Sequence, residues 1–97
     1  MRNLATSNML GDSADVAFAG TSVQSAAAPD QIFRARVNTT AACRILVGEN
    51  PTALSTSTRL PADGSEYISI RPGQKIAVIQ DADAATAGKL NYTWLDN

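Results

Sequence analysis

The sequence contains no His and only one Cys among its 97 residues. Without His there can be no Ser-His-Asp triad, no zinc finger of the Cys/His kind and no CxxCH haem attachment. A single Cys cannot build a disulfide framework. Neither sign of charge dominates: 8 basic and 9 acidic side chains leave a net charge of −1. That balance lacks the basic face a nucleic-acid binder requires, so no nucleic-acid partner is expected. No apolar run approaches the ~20 residues of a membrane helix, so no membrane partner is expected either. Arg2 is followed by Ser7, Asn8, Gly11 and Asp12 in place of an apolar stretch, so no secretory signal is expected. Large apolar residues are also scarce. Leu, Ile, Val and Phe together number 20, against 17 Ala, 9 Thr and 8 Ser. One small domain with a thin core is the expectation.

What is present divides into two parts. Residues 1–28 are rich in Ala, Ser, Thr, Asn and Gly, and they read as an extended N-terminal arm and linker. Within them Val16 and Phe18 alternate with Asp15, Ala17 and Ala19, which permits one short strand. Ala28 precedes Pro29, which biases it to extended geometry.

Residues 29–97 read as a β-domain. Phe33, Ala35 and Val37 alternate with Arg34 and Arg36, which predicts a strand with the first three inward. Cys43, Ile45 and Val47 repeat the pattern around Arg44, and Gly48-Glu49-Asn50-Pro51 closes it as a turn. Thr52 to Thr58 permits an edge strand, and Leu60-Pro61-Ala62-Asp63-Gly64 reads as the next turn. Tyr67 to Ile70 is a strand stopped by Arg71-Pro72-Gly73. Lys75 to Ile79 is the most apolar run and is placed centrally, buried on both faces. Asp81 to Gly88 is a small-residue loop, and Leu90, Tyr92 and Trp94 share one face of the last strand. Short strands between Pro/Gly turns describe an all-β fold, a small antiparallel β-sandwich or barrel of jelly-roll-like type with an extended N-terminal arm.

Few residues suggest chemistry. Asp81 and Asp83 have the spacing that opens calcium loops, but Ala84 to Gly88 adds one hydroxyl and no carboxylate, so they read as an exposed turn with no metal. Asn38-Thr39-Thr40 and Asn91-Tyr92-Thr93 match the glycosylation sequon at the frequency chance supplies. Cys43 lies on an apolar face and reads as a small core residue. Arg34, Arg36, Arg44, Arg59 and Arg71 lie mostly on or beside predicted strands, opposite the apolar face. They read either as a partner surface or as a solvated sheet face. Tyr92 and Trp94 read either as core filling or as a stacking platform. No carboxylate pair has a general-acid environment and no nucleophile has a base, so no enzyme, catalytic residue or cofactor is expected.

Residues 36–80 carry a resemblance. The strand Cys43-Arg44-Ile45, the turn Gly48-Glu49-Asn50-Pro51-Thr52-Ala53, Leu60-Pro61-Ala62, and Arg71-Pro72-Gly73-Gln74-Lys75-Ile76-Ala77-Val78-Ile79 resemble small structural proteins of tailed-bacteriophage virions, of the decoration or cement type. The resemblance implies a non-enzymatic virion component with no catalytic residues to carry over. The reading it supports first is a capsid decoration protein on the capsid surface, whose partners are the major capsid protein and itself, as a homotrimer. The partner interface would use Arg2, Asn3, Leu4, Met9 and Leu10 of the arm with Arg34, Arg36 and Arg44 of the domain. Two alternatives stand beside it. One is a tail or head–tail junction component. The other is a carbohydrate-binding or fibre-attachment module that stacks sugar on Tyr92 and Trp94, with Asp81 or Asp83 as polar contacts.

Overall fold

A computed structural model describes residues 13–84 and 86–95 of the chain. Among the described residues, eight strands form two four-stranded sheets, and every pairing is antiparallel. The strands are β1 Ser13–Phe18, β2 Val23–Gln24, β3 Arg34–Thr39, β4 Cys43–Gly48, β5 Thr58–Leu60, β6 Ser65–Ser69, β7 Lys75–Gln80 and β8 Gly88–Leu95. The first sheet has the order β1-β8-β3-β6 and the second β2-β7-β4-β5. First therefore pairs with last, second with seventh, third with sixth and fourth with fifth. That nesting is a long hairpin rolled upon itself, the eight-strand jelly roll.

Period-two alternation sets which side chains face the core. From the first sheet come Phe18, Ala35, Val37, Leu90 and Tyr92; from the second come Cys43, Ile45, Leu60, Ile76 and Val78. Leu60, Ile76, Leu90, Val37, Val78 and Cys43 are the largest fully buried side chains. Each buried Leu, Ile or Val contributes about 1.5–3 kcal/mol, whereas several other buried positions hold only Ala. The core is as thin as the composition predicts.

The apolar run Lys75–Ile79 takes its expected place. β7 lies between β2 and β4, with Ile76, Ala77 and Val78 all at 0% exposure. Ile76 and Val78 join the core, while Ala77 points to the outer face. Gln24, the register partner of Ala77, ties the 49–57 segment over that face by donating to Asn50 Oδ1 at 2.9 Å and the Pro51 carbonyl at 2.8 Å. The Ala53 amide adds a bond to Ser22 Oγ at 2.9 Å. Residues expected as a possible edge strand are thus mostly a covering loop, with β5 beginning only at Thr58. Arg71 to Gln74 is the expected turn: the Gln74 amide donates to the Arg71 carbonyl, and Gly73 takes φ 87 after Pro72. That is type II geometry.

Two expectations differ from the structure. The arm and linker expected over residues 1–28 has its last part inside the sandwich. β1 pairs along its length with β8, β2 pairs with β7, and Phe18 and Ala28 are buried in the core. Two apolar residues suffice for β1 because β8 supplies the other half of the ladder. Residues 1–12 lie outside the described residues. Phe33, expected inward with Ala35 and Val37, is 57% exposed. Gln31 adopts φ 68 and the Ile32 amide bonds back to the Pro29 carbonyl, so the chain turns and Ile32 enters the core instead. The ladder starts at Arg34, which leaves Phe33 past its end.

Candidate functional site

The arginines expected at one partner surface fall on opposite sides of the sandwich. Arg34 and Arg36 alternate with buried Ala35 and Val37 on β3, so they lie on the outer face of the first sheet. Arg44 alternates with buried Cys43 and Ile45 on β4, which places it on the outer face of the second. No single flat partner can meet all three. Arg2, Asn3, Leu4, Met9 and Leu10 lie outside the described residues.

Two register rows on the outer face of the first sheet are polar across all four strands. One register row runs Ser13, Thr93, Arg36, Tyr67, and the next runs Asp15, Asn91, Asn38, Ser65. The Asn91 side-chain amide donates to Asp15 Oδ1 at 2.8 Å, while the neighbouring Asn38 Oδ1 is buried with no hydrogen-bond partner among the described residues. The Arg34 guanidinium carbon sits 5.5 Å from the centroid of the Tyr67 ring, a cation–π contact. Tyr67 is 51% exposed and lies on edge strand β6.

The outer face of the second sheet holds an ion cluster around one buried carboxylate. Arg44 and Arg59 are direct register partners on β4 and β5. Between them the Asp81 carboxylate accepts from Arg59 Nε at 2.7 Å and from Arg44 Nε at 3.4 Å. Arg44 Nη1 also donates to the Ser57 carbonyl at 3.1 Å. The hydrogen bond from Arg59 holds the Asp81 carboxyl below its usual range; burial opposes that, and the Arg44 charge reinforces it. Asp81 in turn raises the Arg59 guanidinium. The exposed turn expected at Asp81 is therefore half right: Asp83 is exposed, but Asp81 is buried as a counterion. Its carboxylate is spent on arginines, and no group of metal-ligating side chains occurs among the described residues. Beside it lies a shallow cleft of about 330 Å³ lined by Gly20, Ser55, Ile79, Gln80, Asp81 and Ala82.

The remaining candidates face inward. Cys43 is fully buried, and burial pushes its thiol up, with a Thr39 hydrogen bond opposing and the Asp81 charge adding to the rise. A thiol held protonated is no nucleophile. Tyr92 is 5% exposed, its hydroxyl accepts from the Ala26 amide at 3.1 Å, and its ring packs 5.1 Å from that of Trp94. Trp94 is itself partly buried against the core.

Sequence reasoning missed Asp81 as a counterion and Tyr67 as an exposed stacking partner. Neither has a local signal, because each depends on which strands become neighbours. Comparison with family models, curated proteins and solved structures finds no match to this chain.

Proposed function

We propose that the chain is a non-enzymatic structural protein of a tailed-bacteriophage virion that decorates the outer capsid shell by binding the major capsid protein. The observation that carries this reading is the jelly-roll strand order, an architecture that recurs in viral capsid and lectin domains. It is a fold-level warrant, and the resembling motifs add to it. Pro51, Ala53 and Leu60 are buried, and the Arg71-Pro72-Gly73-Gln74 turn leads straight into central β7. The residues that carry the resemblance are therefore those that build the roll. The carbohydrate-binding alternative built on Tyr92 and Trp94 is disfavoured, because both rings face inward and Asp81 is engaged by arginines.

Sedimentation with shells of a cognate major capsid protein tests the proposal. The chain is expected to co-sediment at a copy number that scales with shell area. Binding confined to tails, to junction rings or to glycans overturns it. The arm's part is tested by deleting residues 1–12, with weaker shell binding and an unchanged circular dichroism spectrum expected. A deletion through residue 20 would remove β1 and the core residue Phe18, and so would report on folding instead.

A further inference from the structure

Among the described residues, no strand pairs with the outer side of β6. It pairs with β3 over five residues in unbroken register and is the last strand of its sheet. Natural edge strands are usually guarded by shortness, charged side chains, Pro, a bulge or a covering segment. The other sheet's edges, β2 and β5, are guarded by being two and three residues long. β6, with sequence Ser65-Glu66-Tyr67-Ile68-Ser69, has no Pro, no Lys and no interruption, and its one charge is Glu66, in the inward row opposite Val37. Its Ser65, Glu66, Tyr67 and Ser69 are all exposed.

Charge along this edge is asymmetric. Exposed Asp63 and Glu66 mark its beginning. Exposed Arg71 follows its end, and Arg34 stands across the ladder from Ser69. We propose that β6 pairs antiparallel with β6 of a second copy of this chain, about a two-fold axis at Tyr67. In that register Ser65 of one copy faces Ser69 of the other and Glu66 faces Ile68, so no like charges stand opposite. The acidic beginning of each edge meets the basic end of its neighbour, twice, as an isologous contact requires. A parallel pairing would instead set acidic ends together and basic ends together. The two Tyr67 rings meet at the centre on the outer face, where aromatic cross-strand pairs are favourable. The first sheets of the two copies then form one continuous eight-stranded sheet. This contact is independent of the capsid reading, and it is distinct from the homotrimer that the resemblance implies.

The test is the mass of the full chain by light scattering or sedimentation. A dimer is expected for the native sequence. The double substitution Ser65→Lys with Ser69→Lys sets like charges opposite across the axis and should give a monomer with an unchanged circular dichroism spectrum. Ser65→Lys with Ser69→Glu sets opposite charges together and should restore the dimer. Tyr67→Cys in a Cys43→Ser background should cross-link two copies under oxidation, which keeps the test open if a lysine variant fails to fold. A native chain that stays monomeric at its highest soluble concentration overturns the proposal. So does a dimer or trimer indifferent to the Ser65 and Ser69 substitutions, or a Tyr67→Cys variant that forms no cross-link.

Discussion

Arg44 and Arg59 stand directly opposite each other across the β4–β5 ladder, two like charges in register on neighbouring strands. Such a pair destabilises a sheet unless something intervenes. Here Asp81 intervenes: it reaches from the end of β7 and gives one carboxylate oxygen to each Nε. One acidic side chain therefore closes the outer end of the second sheet by joining three of its strands.

Asp81→Asn should lower the thermal midpoint far more than Asp83→Asn, although the two sit two residues apart in one loop. The first substitution removes the carboxylate that bridges two facing guanidinium groups, whereas Asp83 is exposed and hydrogen-bonds to neither of them. Parallel melts followed by circular dichroism check this. Equal effects would mean the cluster contributes nothing beyond surface charge.

Stability should fall at both ends of the pH range, for different reasons. The folded Asp81 carboxyl lies below its unfolded value, so the unfolded chain binds the proton more readily. Its contribution is complete above the unfolded carboxylate range and is lost as pH falls through the lowered folded value. The Cys43 thiol is raised in the fold, so the unfolded chain releases its proton first, and stability falls as pH rises past the unfolded thiol value. Urea midpoints measured against pH should lose part of the acid limb in Asp81→Asn and part of the alkaline limb in Cys43→Ala.

In so thin a core, one truncation should remove a large share of the stability. Leu90 is fully buried in the middle of the first sheet. Leu90→Ala should cost about 2–5 kcal/mol, against a typical total of about 5–15 kcal/mol. Phe33→Ala, at an exposed position, should stay within about 0.5 kcal/mol. Chemical denaturation of the two variants side by side makes the comparison.

Two glycines should resist alanine for different causes. At Gly73 the backbone has φ 87 with open space around it, so Gly73→Ala costs about 1–2 kcal/mol in backbone strain alone. At Gly88 an added Cβ would lie 2.7 Å from Thr40 Oγ1 and 2.8 Å from Ala41 Cβ. Gly88→Ala must therefore push the start of β8 away from the β3–β4 turn, an overpacking cost of about 1–3 kcal/mol. It should also disturb the bond from the Lys89 amide to Thr40 Oγ1. Chemical shifts near Thr40 should move in Gly88→Ala and stay in place in Gly73→Ala.

Much of the fold was legible along the chain. Alternation around Ala35 and Val37, around Cys43 and Ile45, and along β8 named the inward faces. The run Lys75–Ile79 announced a central strand, and Pro72-Gly73 announced its entry turn. These features depend on residues two to four apart. Phe33 broke the pattern because a left-handed residue at Gln31 reset which neighbour turned inward. Residues 13–28 looked like an arm because their apolar content is low when read without β8 and β7.

The sequence alone thus determined the fold class and the thinness of the core. Only the tertiary structure decided that Arg44 and Arg59 would meet, that Asp81 would be buried between them, that Arg34 and Arg44 would face opposite ways, and that β6 would be left at an edge. Each of those outcomes follows from strand neighbours far apart in the chain. Side-chain alternation is set by the local backbone, but partnership across a sheet is set by how the whole roll closes.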